Sequence, residues 1–364
     1  MATFSRTTFD AASYLAFRPS YPRWVHDKVL AYHFGRSPSS SASSQLAVDL
    51  GCGPGISTLS LLPHFSRVIG VDPSSKMVDA AVTPDTPNLP SNLIPDPADG
   101  PTGQLGQIEY RQGYSESLDF LQDGSVDLIT AGQAAHWFDY PSFWREATRV
   151  VRPGGSVCLY GYPDFFLPEF PSTRSLLNKF ALKDGAAPGS PKLNAVDEQP
   201  EKVDSIGAYW EQPGRSIVNA GLSPVPFPFT YPEMASHWDE GSAFKRTFST
   251  TGLPKEHHWS SWPPPTTHPL TASLPDEVAS EFTGKQESAT MDKHLDWSQL
   301  ASYLRTWSAT HTYLSEHPNE KADVVDRFVQ QLKQAVTREN GGNEVEQLHL
   351  RWPLCFVMVQ KKSV

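Results

Sequence analysis

Through the first 160 residues, apolar positions alternate between two rhythms. Short, nearly continuous apolar runs fall at 46–50 (LAVDL), 67–72 (RVIGVD), 107–112 (QIEYRQ), 125–131 (SVDLITA) and 155–161 (GSVCLYG). Between them apolar residues recur at helical spacing. Ile56, Leu59 and Leu62 do so in GISTLSLLPHF, Met77, Ala80 and Ala81 after the second run, and YPSFWREATRVV follows the fourth. Apolar strands alternating with helices predict a parallel sheet covered on both faces, an α/β architecture.

Beyond residue 163 the alternation stops. Helices are expected over 172–182, within 201–222, over 297–315 and over 320–337, and two strands meet at Trp352–Pro353 near the end. The pattern divides the chain into an N-terminal cover and core (1–162), a mostly helical insertion over the substrate (163–340), and a terminal hairpin (341–364) that completes the core sheet. Residues 84–101 carry six prolines and no period, so they read as a surface insertion. The serine-rich tract 37–44 reads as a loop. The whole chain has 33 prolines in 364 residues, against a usual share of about 5%; most of that excess falls outside the alternating part.

Composition narrows the function. Thirty basic residues against 40 acidic ones give a net charge of −10, and Lys361–Lys362 is the longest basic run. This argues against a nucleic-acid partner. Three cysteines (Cys52, Cys158, Cys355) make no disulfide framework, and no Cys-x-x-Cys or His-Glu-x-x-His motif suggests a metal site. No stretch is apolar over eighteen residues and the N-terminus has no secretory pattern, so a cytoplasmic protein without a membrane partner is expected. Oligomeric state is not readable from the chain.

The sharpest chemical signal is VDLGCGPG at 48–55. A strand runs into Gly51, Gly53 and Gly55, and a helix is expected directly after. Glycine there admits a left-handed backbone and close approach of a ligand, and a helix start would add unpaired N–H groups. Asp72 ends the next strand, where a carboxylate can accept both hydroxyls of an adenosine ribose. The dinucleotide fingerprint needs a third glycine at Ile56, and no Gly-Lys-Ser/Thr follows. Asp49 beside the loop would repel a pyrophosphate and could pair with an ammonium group. A nucleoside with a cationic tail therefore fits better than a nicotinamide dinucleotide. The plain alternative is a tight turn that binds nothing.

Together, VDLGCGPG, IGVDPSSKM, ESLDFLQDGSVDLITAGQAAHWFD and ATRVVRPGGSVCLYG, in this order over 46–161, resemble the class I S-adenosylmethionine-dependent methyltransferases. That resemblance implies a Rossmann-like seven-stranded sheet of order 3-2-1-4-5-7-6 with strand seven antiparallel, and S-adenosylmethionine as cofactor. Cofactor contacts would come from Asp49, Gly51, Cys52, Gly53, Gly55 and Asp72. FDAASYLAFRPSYP, QAAHWFD and YLRTWSATHTY are similar to a small-molecule subgroup that includes trans-aconitate methyltransferase and fungal relatives. By that likeness Tyr14 and Arg18 would lie over the methionine carboxylate. The family often has Gly-Asp-Ala-Glu where this chain has Gly113, Tyr114, Ser115 and Glu116, so the aspartate usual for the adenine amine is missing. Ser115 and Glu116 would line the cofactor or cap a helix.

Gln133, His136 and Trp137 follow the fourth strand, at the sheet edge where α/β proteins bind ligands. The subgroup places this segment between cofactor and acceptor. His136 is the candidate catalytic base, with packing or substrate hydrogen bonding as its other roles. Trp137, Trp210, Arg215, Tyr303 and Trp307 are candidates to hold a small-molecule acceptor, although the aromatics would equally serve a core. The expected activity is methyl transfer to a carboxylate or hydroxyl oxygen by in-line displacement. A catalytically inactive cofactor-binding module and a nicotinamide oxidoreductase are the alternatives.

Overall fold

The computed structural model describes residues 17–36, 45–182, 205–248, 291–320 and 323–363. Tyr14, the serine-rich tract and the proline-dense stretch 262–269 lie outside the described residues. The chain opens with α1 (Arg23–Arg36), then builds β1 (Leu46–Leu50), β2 (Arg67–Asp72), α2 (Ser75–Asp79), β3 (Gln107–Gln112), β4 (Val126–Gly132), α3 (Tyr140–Val150) and β5 (Val151–Gly161). There follow α4 (Arg174–Ala181), α5 (Gly214–Asn219), α6 (Pro232–Ala235) and β6 (Trp238–Phe248). Last come β7 (Met291–Asp296), α7 (Trp297–Arg305), α8 (Ser308–Glu316), α9 (Val324–Glu339), β8 (Gln347–Trp352) and β9 (Leu354–Lys361).

Seven strands form one sheet in the order β3-β2-β1-β4-β5-β9-β6. The first five pair in parallel, β9 runs antiparallel between β5 and β6, and the sheet has the expected 3-2-1-4-5-7-6 topology. All five residues of β1 are buried, as its apolar run requires. One face packs on Val25 and Val29 of α1. The other packs on Phe143, Trp144 and Ala147 of α3.

Three expectations are corrected. The sheet is not closed by a terminal hairpin. Of the two final strands only β9 enters it; β8 pairs with β7 in a separate two-stranded sheet, and the chain changes sheets at Pro353, which cannot donate to a ladder. The edge place is taken by β6, from inside the 163–340 segment. Its sequence WDEGSAFKRTF hides the strand, because charged residues and a register shift between Asp239 and Phe244 suit an edge but break the apolar alternation. The helix expected after the glycine turn is only a short 3-10 turn, Thr58–Leu61. Ser57, Thr58 and Ser60 are poor helix formers, and Pro63 leaves little room to propagate. No α-helix therefore starts directly after the turn.

The helix expected over 297–315 is broken into α7 and α8. The Thr306 hydroxyl donates to the Tyr303 carbonyl at 2.6 Å, and Trp307 is extended (φ −73°, ψ 135°). A threonine bonding back to the preceding turn competes with helix continuation. The break has a use, since it swings Trp307 towards the cleft described below. Two tryptophans tie the later segments to the core: Trp144 Nε1 donates to the Pro226 carbonyl at 2.9 Å, and Trp238 Nε1 donates to Thr148 Oγ1 at 2.8 Å. Among the described residues no helix is long and apolar enough to cross a membrane.

His26 and His33 of α1 are buried, and Nε2 of each has no hydrogen-bond partner. Burial, the largest influence on both, lowers each pKa to about 4. An unfolded histidine titrates near ~6.5, so from there down to about 4 the unfolded chain takes up protons that the folded chain refuses. Stability is therefore lost as pH falls through this window. Asp49, raised to about 6 by burial, acts in the opposite sense, and a variant comparison separates the two. In urea unfolding, His26→Phe/His33→Phe should lose less stability than the parent between pH 6.5 and 4.5. Identical pH profiles would contradict the assignment.

Candidate functional site

The carboxyl ends of five neighbouring strands meet at one cleft: Gly51 follows β1, Asp72 ends β2, Gly113 follows β3, Gly132 ends β4 and Tyr162 follows β5. Asp72 is 8% exposed and holds a fixed orientation. Its Oδ2 accepts from the Gly53 N–H at 2.9 Å and its Oδ1 from the Ser74 N–H at 2.8 Å. Burial raises its pKa, and those two backbone donors oppose the rise. Each oxygen keeps lone-pair capacity facing the cleft, so the group can accept two further hydroxyl donors.

The three glycines of the turn serve different ends. A Cβ on Gly53 (φ +55°) would meet nothing within 4 Å, so the backbone here is bare towards the cleft. At Gly55 (φ +86°) a Cβ would collide with Tyr110, lying 2.7 Å from its Cζ. The Tyr110 hydroxyl donates to the Val82 carbonyl at 2.7 Å, and this residue fills the space behind the loop. Gly51 likewise makes room for Ala134. Gly51 and Gly53 line the cleft; Gly55 does not.

Asp49 and Cys52 also lie behind the loop. The Asp49 carboxylate is 1% exposed and accepts from Thr58 Oγ1 at 2.7 Å and Thr130 Oγ1 at 2.8 Å. This corrects the expectation that it faces a cationic ligand: it joins the turn to β4 from beneath. Cys52 is buried, and burial pushes its thiol up, so it stays neutral. Glu116 is also outside the cleft lining. Its Oε1 accepts from the Asp139 N–H at 2.9 Å, at the start of α3, which is the capping alternative. Ser115 does line the cleft.

Gln133 stands just past β4 with φ +55°, rare for a residue with a side chain. Its Nε2 donates to the Tyr162 carbonyl at 3.0 Å, while its Oε1 accepts from the Tyr162 N–H at 2.7 Å. The amide thus clamps the chain leaving β5 to the end of β4, and so sets where Pro163 and Asp164 enter the cleft. Such a backbone persists only where surrounding contacts over-determine it.

The other end of the cleft is built by the later segments. Arg18, His136, Trp137, Asp164, Trp210, Glu211, Arg215, Tyr303 and Trp307 all line it, so the sequence-predicted acceptor residues are brought together. Arg215 pairs with Asp164 and lies over the Trp210 ring, 4.0 Å from its centroid. Trp210 is held by donation from Nε1 to the Ala181 carbonyl at 2.8 Å. Arg18 donates to the Thr306 carbonyl at 3.1 Å. The hydroxyl of Tyr303 accepts from Trp352 Nε1 at 3.2 Å, so this tyrosine and its edge-on neighbour Trp307 are anchored in the core behind. They are both wall and core. His136 is kept neutral: burial first, then the charges of Arg215 and Arg18, lower its pKa to about 3.

Sequence reasoning missed Ser74, Met77, Gly113, Tyr162, Asp164 and Glu211. Four of these follow a strand's carboxyl end, which was a usable signal. Glu211 lies in an irregular stretch and had none. Among the described residues no cluster of histidine, cysteine and carboxylate side chains is placed to hold a metal ion.

The fold and site define an α/β protein with a mostly parallel sheet, whose carboxyl edge carries a glycine turn and a fixed carboxylate where such proteins bind ligands. Comparison with known proteins identifies which kind. Residues 48–159 match the model of a methyltransferase domain family. A Saccharomyces cerevisiae protein named as an S-adenosylmethionine-dependent methyltransferase, CRG1, is 26% identical over 365 residues, 99% of each chain. A Dictyostelium discoideum protein named as a methyltransferase is 33% identical over 150 residues, 41% of this chain and 46% of its own length. That match spans less than half of the relative. A solved structure described as a type II methyltransferase, from Anaeromyxobacter dehalogenans, shares the fold, with TM-score 0.53, 21% identity, and coverage of 94% of this chain and 98% of that one. Residues 48–159 thus carry the pattern of a methyltransferase domain, and the chain over its length is similar to an S-adenosylmethionine-dependent methyltransferase. S-adenosylmethionine is the cofactor in the yeast relative's name, and the bare backbone at Gly53 beside the oriented Asp72 carboxylate fits a nucleoside.

The two glycines should separate function from folding. Gly53→Ala meets only the left-handed backbone penalty, about 1–2 kcal/mol, and should abolish tight cofactor binding by filling the approach. Gly55→Ala adds overpacking against Tyr110 and should cost about 2–5 kcal/mol of stability. Thermal unfolding and calorimetric titration with the cofactor read the two effects. The reverse ranking would contradict this division of roles.

Proposed function

We propose that this methyltransferase transfers a methyl group to an oxygen of a small molecule, by direct in-line displacement. Bound in the cleft, S-adenosylmethionine supplies a methyl group on a positively charged sulfur. The acceptor oxygen bonds to that carbon as the carbon–sulfur bond breaks, the electron pair stays on sulfur, and any hydroxyl proton leaves to a base or to water.

The residues of the chain then divide the work. Asp72 accepts the ribose hydroxyls, and the bare backbone at Gly53 lets the nucleoside approach. Arg18, with Tyr14 by resemblance, receives the cofactor's carboxylate. Trp137, Trp210, Tyr303 and Trp307 orient the acceptor and exclude water, which raises the rate through proximity and orientation. His136, neutral at working pH, accepts a hydrogen bond or a proton.

The observation that carries this reading is the continuity of one cleft from Asp72 to an aromatic-walled end holding Arg215 and His136. An oxygen acceptor suits the donors there. Of the two carboxylates at that end, Asp164 is already paired with Arg215 and so is not open to a protonated amine. An end walled by Trp137, Trp210, Tyr303 and Trp307 suits a small molecule better than a polymer.

Incubation with methyl-labelled cofactor and a panel of small phenols, acids and amines tests the reading. Label is expected on oxygen, and label on amine nitrogen alone would overturn it. Asp72→Ala should weaken cofactor binding more than tenfold by calorimetry; an unchanged affinity would remove the ribose assignment.

A further inference from the structure

The charges around the acceptor end balance. Among the lining residues there, Arg18 and Arg215 carry positive charge, and Asp164 and Glu211 carry negative charge. Asp72 is the remaining charged group, at the nucleoside end. Arg215 has only 7% of its side chain exposed, and its charge is met by Asp164. A carboxylate brought to this place would have to displace Asp164 from Arg215 or sit beside it and Glu211. Repulsion between like charges in a partly desolvated cleft is expensive.

Two polar atoms here are nevertheless left without partners. Arg215 Nε and His136 Nδ1 are both sealed from solvent, and neither makes a hydrogen bond. Buried polar atoms without partners are uncommon in folded proteins, and leaving one unmet costs about 1–3 kcal/mol. The two residues are held together by Gly214. A Cβ at that position would stand 3.1 Å from the His136 carbonyl oxygen, 3.2 Å from its Cδ2 and 3.5 Å from Trp137 Cε3. The start of α5 therefore rests on the His136–Trp137 turn, and Arg215 is the next residue along. One atom is a fixed donor, since guanidinium Nε–H only donates. The other belongs to a neutral imidazole, which can accept. A hydroxyl group is the simplest partner for such a pair, because its oxygen accepts while its proton is donated.

We infer that the methyl acceptor is a neutral aromatic hydroxyl compound. Its oxygen lies between Arg215 Nε–H and His136 Nδ1, and its ring is held among Trp210, Trp307 and Tyr303. This rests on the oxygen-transfer reading above and narrows it. A carboxylate has no proton to give His136 and would add charge to a balanced site. The weak basicity of His136, whose pKa is lowered to about 3 chiefly by burial and Arg215, also selects for an acidic hydroxyl. As the hydroxyl oxygen takes the methyl group, its proton passes to His136 Nδ1, which gives it up again when the methylated product leaves and the cleft is open. The Arg215 guanidinium favours the negative charge that develops on the oxygen as the proton leaves.

The test is calorimetric and does not depend on turnover. The enzyme saturated with S-adenosylhomocysteine is titrated with 2-naphthol and, separately, with 2-naphthoate, which share ring size and differ in the polar group. At least tenfold tighter binding of the naphthol is expected, and His136→Phe should erase most of that advantage. Asp164→Asn, which uncovers the Arg215 charge, should shift the preference at least tenfold towards the carboxylate. Equal or tighter binding of the carboxylate by the parent enzyme, or binding of neither compound, overturns the inference. Failure of the broader reading looks different: the cofactor binds, and labelled methyl appears only on nitrogen or carbon acceptors.

Discussion

The site depends on one small constraint, the two backbone hydrogen bonds that fix the Asp72 carboxylate. The donor at Gly53 comes from the glycine turn after β1, and the donor at Ser74 comes from the loop after β2. One side chain thereby locks the two loops to each other, at the edge where parallel strands deliver ligand-binding residues. Burial works against the charge on Asp72, and the backbone donors restore it. An aspartate so held presents its remaining lone pairs in a fixed direction. That is what a site needs to read a pair of adjacent hydroxyls.

Behind this edge the fold supplies support in layers. Asp49 ties the turn to β4 through two threonine hydroxyls, and Tyr110 fills the space that Gly55 and Gly70 leave open. Gln133 clamps the exit of β5, and the interrupted helix pair α7–α8 delivers Trp307 from the far side. None of these groups needs to touch a ligand to matter. Together they place the arginines, the histidine and the aromatic walls at one end of the cleft and leave the backbone bare at Gly53 at the other.

Much of this was legible in the chain. The parallel strands β1, β2, β4 and β5 are short, mostly buried apolar runs, a pattern that few arrangements besides a covered parallel sheet produce. The glycine turn and Asp72 could be located because their roles are local, set by a strand end and a few following residues. The edge strand β6 was not legible, since an edge tolerates charge and a register shift, and those erase the period that marks a strand. The separation of β8 from β9 was hidden for a related reason: Pro353 reads as a hairpin turn, yet it marks a change of sheet. At the site, Asp49 looked like a ligand because its place in sequence does not say which side of the loop its side chain takes. Glu211 gave no signal at all, for its role arises only when segments distant in sequence pack together.

The proposed reaction requires the cofactor's ribose to lie on Asp72 at the carboxyl edge of the sheet, with the acceptor towards Arg215 and His136. A crystal structure of the enzyme with S-adenosylhomocysteine decides whether it does. Both ribose hydroxyls are expected within hydrogen-bonding distance of the Asp72 oxygens, with the sulfur turned towards the aromatic end. A ribose bound elsewhere, with Asp72 left to its two backbone donors alone, would refute that placement.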